Sequence, residues 1–100
     1  MNSQLVECTN RIREKLGQNS SLHATLKFDC GVEGVVFVDA LQNPHIVDNQ
    51  SREAICTVTL SLLDLVALLD GELKPVQGFM SGRLKLAGDM SVAMRLQKVV

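Results

Sequence analysis

From Ser21 to Cys30 apolar and polar residues alternate: Leu22, Ala24, Leu26, Phe28 and Cys30 share one face, His23, Thr25, Lys27 and Asp29 the other. That period of two predicts a strand with one buried and one wet face. Gly31-Val32-Glu33-Gly34 then predicts a hairpin turn into Val35–Ala40, apolar on both faces except at Asp39, as a central strand would be. Residues 42–52 are polar and contain Pro44, which predicts a loop or a weak edge strand. Alternation returns over Ala54–Leu60, with Ala54, Cys56, Val58 and Leu60 inward and Thr57 and Thr59 outward.

Helical spacing brackets these strands. Over Asn2–Leu16, Leu5, Cys8, Ile12 and Leu16 form one stripe, and Gly17 stands at its end. A polar linker is expected over 18–20. After Leu60, Ser61 and Asp64 make a capping pair and Gly71 closes the segment. Between them only Asp64 interrupts Leu62, Leu63, Leu65, Val66, Ala67, Leu68 and Leu69, so this helix is expected to be covered on more than one side. A core helix is one explanation; a bound acyl chain or ring system covering the remainder is the other.

The run from Gly71 to Gln97 is the most densely punctuated part of the chain. Pro75 can open a short helix because its missing N–H would be unpaired there anyway. Gly82 can close that helix. Arg83–Leu86 alternates as a strand does, Gly88-Asp89 turns the chain, and Asp89 can cap a helix bearing Met90, Ala93, Met94 and Leu96. Strands with one polar face and helices gathered on the other predict an α+β fold: a single, mostly antiparallel sheet of about five strands with helices on one face, in one domain over 1–100.

The same run resembles the C-terminal signature of sterol carrier protein type 2 domains, G-x-L-x-P-x-x-x-F-x-x-G-x-L-x-L-x-G-[DN]-x-x-x-A-x-x-L. Gly71, Leu73, Pro75, Phe79, Gly82, Leu84, Leu86, Gly88, Asp89, Ala93 and Leu96 fall on it in register. The resemblance implies a hydrophobic lipid tunnel between sheet and helices. The lipid-binding residues expected on the sheet side are Phe28, Leu60, Leu84 and Leu86, with Phe37 included by analogy. On the helix side they are Leu65, Leu68, Val76, Phe79, Met80, Met90, Ala93, Met94 and Leu96. Met80, Met90 and Met94 suit either gap-filling in a core or a deformable wall, because thioethers re-pack around ligands of different shape. Gln77, Arg83 or Gln97 could hold a head group at the mouth.

Composition narrows the function classes. Hydrophobic residues make up 46% of the chain and charged ones 21%, enough to build a core. Ten Lys and Arg against eleven Asp and Glu give a net charge of −1, which offers no broad footprint for nucleic acid. The chain has no Trp or Tyr and three Phe, so little is available for stacking bases. Three cysteines, Cys8, Cys30 and Cys56, are odd in number and lack C-x-x-C spacing; reduced thiols are expected.

Catalytic and metal-binding residues are not indicated. Gly78-Phe79-Met80-Ser81-Gly82 places its serine one position too late for a nucleophile elbow. His23 and His45 have no ligand-spaced partner, and no phosphate loop is present. No cofactor is implied. Neither a secretion signal nor a membrane span is present, and Gln97-Lys98-Val99-Val100 is not the peroxisomal tripeptide common in animal carriers, so the expected location is cytoplasmic.

The expected function is therefore non-catalytic binding and transfer of a fatty acid, fatty acyl-CoA, sterol or related isoprenoid, with transient contact at membrane surfaces. Arg11, Arg13 and Lys15 on the first helix are the candidates for that contact. The alternative is a lipid-presenting or targeting module of a larger protein, since domains of this family also occur appended to dehydrogenases, thiolases and membrane-scaffold proteins.

Overall fold

The computed structural model describes residues 2–17, 22–42 and 44–96. The linker expected at 18–20, together with Ser21 and Gln97, lies outside the described residues. Helix α1 spans Ser3–Leu16, capped by the Asn2 side chain, which accepts from the Gln4 N–H. Strands β1 (Thr25–Asp29) and β2 (Val35–Asp39) form the expected hairpin, joined by one 3₁₀ turn over Gly31–Glu33. The polar stretch supplies a short strand β3 (Ile46–Asp48), and β4 covers Cys56–Thr59. Helix α2 (Leu62–Asp70), helix α3 (Pro75–Ser81), strand β5 (Lys85–Gly88) and helix α4 (Met90–Met94) complete the chain.

The five strands make one sheet in the order β3-β2-β1-β4-β5. Three pairings are antiparallel, as expected, but β1 and β4 run parallel, with Leu26 opposite Cys56 and Phe28 opposite Val58. The parallel pair follows from the 49–55 segment, which carries the chain from one edge of the sheet past β2 and β1 before β4 begins. No periodicity within a strand encodes that choice. Asn49 anchors the segment's start: its Nδ2 donates to the Thr9 hydroxyl on α1 at 2.8 Å and to the Val35 carbonyl at 2.9 Å.

One sheet face carries the core. Leu26, Phe28, Val36, Val38, Val47, Cys56 and Val58 pack under Leu5, Cys8, Ile12 and Leu16 of α1, Leu62, Leu65, Leu68 and Leu69 of α2, and Val92, Ala93 and Leu96 at the C-terminal end. The expected stripe of α1 is thus the buried one. Phe37 pairs with Lys27 and Asp48, which puts it on the opposite face from Phe28 and Val36. There it is buried beneath the Arg52 guanidinium, 4.9 Å from the ring centroid, in a cation–π contact.

Helix α2, expected to be covered on more than one side, keeps part of its apolar surface exposed. Leu62, Leu65, Leu68 and Leu69 are buried, Val66 and Ala67 are partly buried, and Leu63 is 74% exposed. A helix lying on α1 and the sheet buries one broad stripe, and the rest of its apolar surface faces out. The expected caps are in place: Ser61 Oγ accepts from the Asp64 N–H at 3.0 Å, and Gly71 takes the left-handed conformation that ends the helix.

Candidate functional site: an apolar groove between α3, β5 and α4

Two close backbone approaches set up the site. Gly78 lets α3 lie flat against the chain entering β5: a Cβ there would stand 2.5 Å from Leu84 Cγ, and the Leu84 N–H donates to the Gly78 carbonyl at 3.0 Å. Gly88 ends β5 at φ +108°, and a Cβ there would stand 2.2 Å from the Ile55 carbonyl oxygen. Asp89 then donates its N–H to that same carbonyl at 3.0 Å, while its carboxylate accepts from the Ser91 N–H and hydroxyl at 2.8 and 2.7 Å. Those Ser91 hydrogen bonds hold the Asp89 carboxyl below its ordinary value. An ion pair of 2.5 Å between Arg83 and Asp64 ties the α3–β5 turn back to the start of α2. Arg95 donates to the Leu22 carbonyl at 2.5 Å, which fastens the far end of α4 beside the entry to β1.

The result is a groove of about 290 Å³ lined by Pro75, Val76 and Phe79 of α3, Leu86 of β5, and Met90, Ala93 and Met94 of α4. Among the described residues no titratable side chain lines it. Ala93 forms a buried floor, Phe79 and Leu86 are half-buried, and Val76, Met90 and Met94 stand exposed around the rim. Among the described residues it is an open apolar groove, and they do not enclose the expected tunnel.

Six of the residues expected from the sequence therefore meet here: Val76, Phe79, Leu86, Met90, Ala93 and Met94. Phe28, Leu60, Leu65, Leu84 and Leu96 are buried core, behind the groove wall. Leu68, 2% exposed, is also core, although it touches a second cavity at the N-terminal end of α3. Phe37 is separated from the groove by the sheet. Met80 is 84% exposed and faces away, lining a different depression with Gln77 and Arg83.

The head-group candidates fare similarly. Arg83 is engaged with Asp64, and neither it nor Gln77 lines the groove. Pro75, beyond the expected set, joins the lining beside Val76 at the start of α3, where a helix-opening proline is expected. On α1, Arg11 pairs with Asp70 at 2.8 Å, and Arg13 donates to the Val47 carbonyl and to Asn10 Oδ1, so two of the three basic residues expected to face a membrane make contacts within the protein.

The remaining reactive groups lie elsewhere. All three cysteines are free and buried. Burial, with Cys8, Asp29 and Glu33 nearby, pushes the Cys30 thiol up to about 12, which makes it a poor nucleophile. Among the described residues no group of three or more His, Cys, Asp or Glu gathers as a metal site would, and no helix is long and apolar enough to cross a membrane.

This α+β architecture is that of known sterol carrier proteins. Sterol Carrier Protein 2 Like 2 from Aedes aegypti superposes with a TM-score of 0.78, covering 98% of this chain and 97% of that one at 19% identity, a likeness of fold. Sequence comparison carries the kinship further. The non-specific lipid-transfer protein-like 1 of Caenorhabditis elegans is 30% identical over 82 residues, covering 81% of this chain and 70% of that protein. Sterol carrier protein 2 of Oryctolagus cuniculus is 39% identical over 54 residues, 54% of this chain but 10% of that protein, so the chain spans only about a tenth of that longer relative. The sequence model of the SCP-2 sterol transfer family matches residues 7–100, and the chain belongs to this family.

Proposed function

We propose that the chain binds a lipid in the α3–β5–α4 groove and transfers it between membranes without catalysing its conversion. The observation that carries this reading is the groove itself: a concave surface of about 290 Å³, lined among the described residues by seven apolar side chains from three elements and by no titratable group. Such a surface removes methylenes from water and offers no acid, base or nucleophile to act on them. Each buried methylene contributes about 0.8 kcal/mol, so ten of them favour binding by roughly 8 kcal/mol, a micromolar affinity before the cost of association is counted. The groove is at the small end for ligand sites, which typically run from about 300 Å³ upwards. A long chain thus requires the exposed Met90 and Met94 to fold over it, a motion that unbranched thioethers make at low cost.

The ligand class is a fatty acid, fatty acyl-CoA, sterol or related isoprenoid, and the place of action is the cytoplasm, with brief contact at membrane surfaces. The names and sizes of the relatives support both a free-standing carrier and a lipid-presenting unit of a larger protein. Extraction mass spectrometry of the protein purified from cells, with titration by a fluorescent fatty acid and a fluorescent sterol, tests the reading. The expected result is saturable uptake of at least one of them at about one per chain. Absence of saturable binding of both by a folded sample overturns it.

A further inference from the structure

At the N-terminal end of α3, beside the ends of α1 and α2, lies a second cavity of about 450 Å³, and Pro75 and Val76 line both it and the apolar groove. Its character is different. Lys15, from the last turn of α1, and Lys74, immediately before α3, both line it, and both are exposed. The single acid in its wall, Asp70, is already neutralised by Arg11 at 2.8 Å. Among the described residues neither lysine takes part in an ion pair. The apolar groove therefore adjoins, across the Pro75–Val76 rim, a cavity whose wall carries two ammonium groups outside any ion pair among the described residues, with Asp70 held by Arg11 and Glu14 beside Lys15 as the nearby acids.

We propose that this cavity is a head-group subsite: Lys15 and Lys74 hold the negatively charged head, carboxylate or phosphate, of an amphiphile whose hydrocarbon chain lies in the groove. The proposal rests on the lipid reading above and adds to it a preference for anionic over neutral ligands of the same chain length. Coulomb attraction to two exposed ammonium groups is modest and is screened by salt, so the preference is of order tenfold and falls as ionic strength rises. Binding of the chain alone does not depend on the lysines.

The test displaces a neutral naphthylamine probe from the groove with hexadecanol, palmitate and hexadecyl phosphate, in the wild-type protein, in the double variant Lys15→Gln/Lys74→Gln, and in Lys74→Glu. The expected result is about tenfold tighter binding of at least one anion than of the alcohol, and the stronger anion identifies the head group. That advantage is lost in the double variant and in 0.5 M salt, and Lys74→Glu inverts it, while hexadecanol binds all three proteins alike. Because both lysines are exposed, thermal melts of the variants should match that of the wild type. Equal binding of all three ligands by the wild-type protein, or an anion advantage that survives in the double variant, overturns the subsite. Failure of all three ligands to displace the probe overturns the groove reading, and the subsite with it.

Discussion

Replacing Met90 by aspartate isolates the groove from the fold. Met90 is 60% exposed at the first position of α4, so in the free protein the new carboxylate sits in water and stability should change by no more than about 0.5 kcal/mol. When a hydrocarbon chain lies across the groove, the same carboxylate is pressed against Phe79, Leu86 and Met94, with no cationic partner among the described lining residues. It must then stay charged in an apolar setting or take up a proton. Protonation sets the ceiling on the penalty: about 1.36 kcal/mol for each of the roughly three pH units between an ordinary aspartate value near 3.9 and pH 7, or about 4 kcal/mol. A groove that stays partly wet would show about half of that, so affinity for hexadecanol at pH 7 should fall by roughly 30- to 1,000-fold. The sign with pH follows directly. The charged form is the one that resists the ligand, so binding recovers as pH falls, and at pH 5 the ceiling drops to about 1.5 kcal/mol. Met80→Asp is the control, because Met80 is also exposed, at 84%, but faces another depression. Probe displacement at pH 7 and pH 5, beside a thermal melt, reads all of this. A Met90→Asp protein that binds like the wild type, or one that Met80→Asp matches in its loss, would refute the placement of the lipid in this groove.

Gly88→Ala should destabilise the fold by about 3 kcal/mol or more, because alanine meets both a φ of +108° and the Ile55 carbonyl oxygen 2.2 Å away; a denaturation midpoint near the wild-type value would contradict the close approach. Leu68→Trp should cost about 1–3 kcal/mol by overpacking, since Leu68 is 2% exposed within the core; a melt that moves less would place Leu68 in accommodating space instead. Acid should weaken the fold through Asp48 and Asp89. Burial opposes the ionised form of Asp48, but hydrogen bonds from Arg52 and the Gln50 N–H outweigh it and its pKa is lowered, as Ser91 lowers that of Asp89. Their contribution is complete above the unfolded value near 3.8 and is lost as pH falls through the depressed folded values, so the acid limb of a pH–stability curve should flatten in Asp48→Asn/Asp89→Asn.

Period-two and helical patterning determined most of the elements, because a one-sided core imposes its spacing on each segment separately. The stripe of α1, the alternation of β1 and β4, the caps at Ser61 and Asp89 and the helix start at Pro75 are local relations between residues a few positions apart, and they are legible without the fold. The composition of the groove was legible in the same way: all seven of its lining residues stand in the Gly71–Leu96 run, and six of them, all but Pro75, are apolar positions the sequence marks for lipid contact. What depends on several chain segments at once was not. The parallel pairing of β1 with β4 is decided by the path of residues 49–55, and the side of the sheet taken by Phe37 by its register with Lys27 and Asp48. Apolar character alone does not separate a core residue from a groove residue. Leu65 and Met94 are both hydrophobic positions on helices, yet one is fully buried and the other 81% exposed, because α2 lies against α1 and the sheet while α4 turns one side outward beside α3. Lys15 and Lys74, far apart in the chain, carried no joint signal until packing α2 against α1 brought the end of one helix beside the start of another. Burial patterns are written in short-range sequence because each segment must hide its own apolar face; a site shared among segments exists only once their packing sets the distances between them.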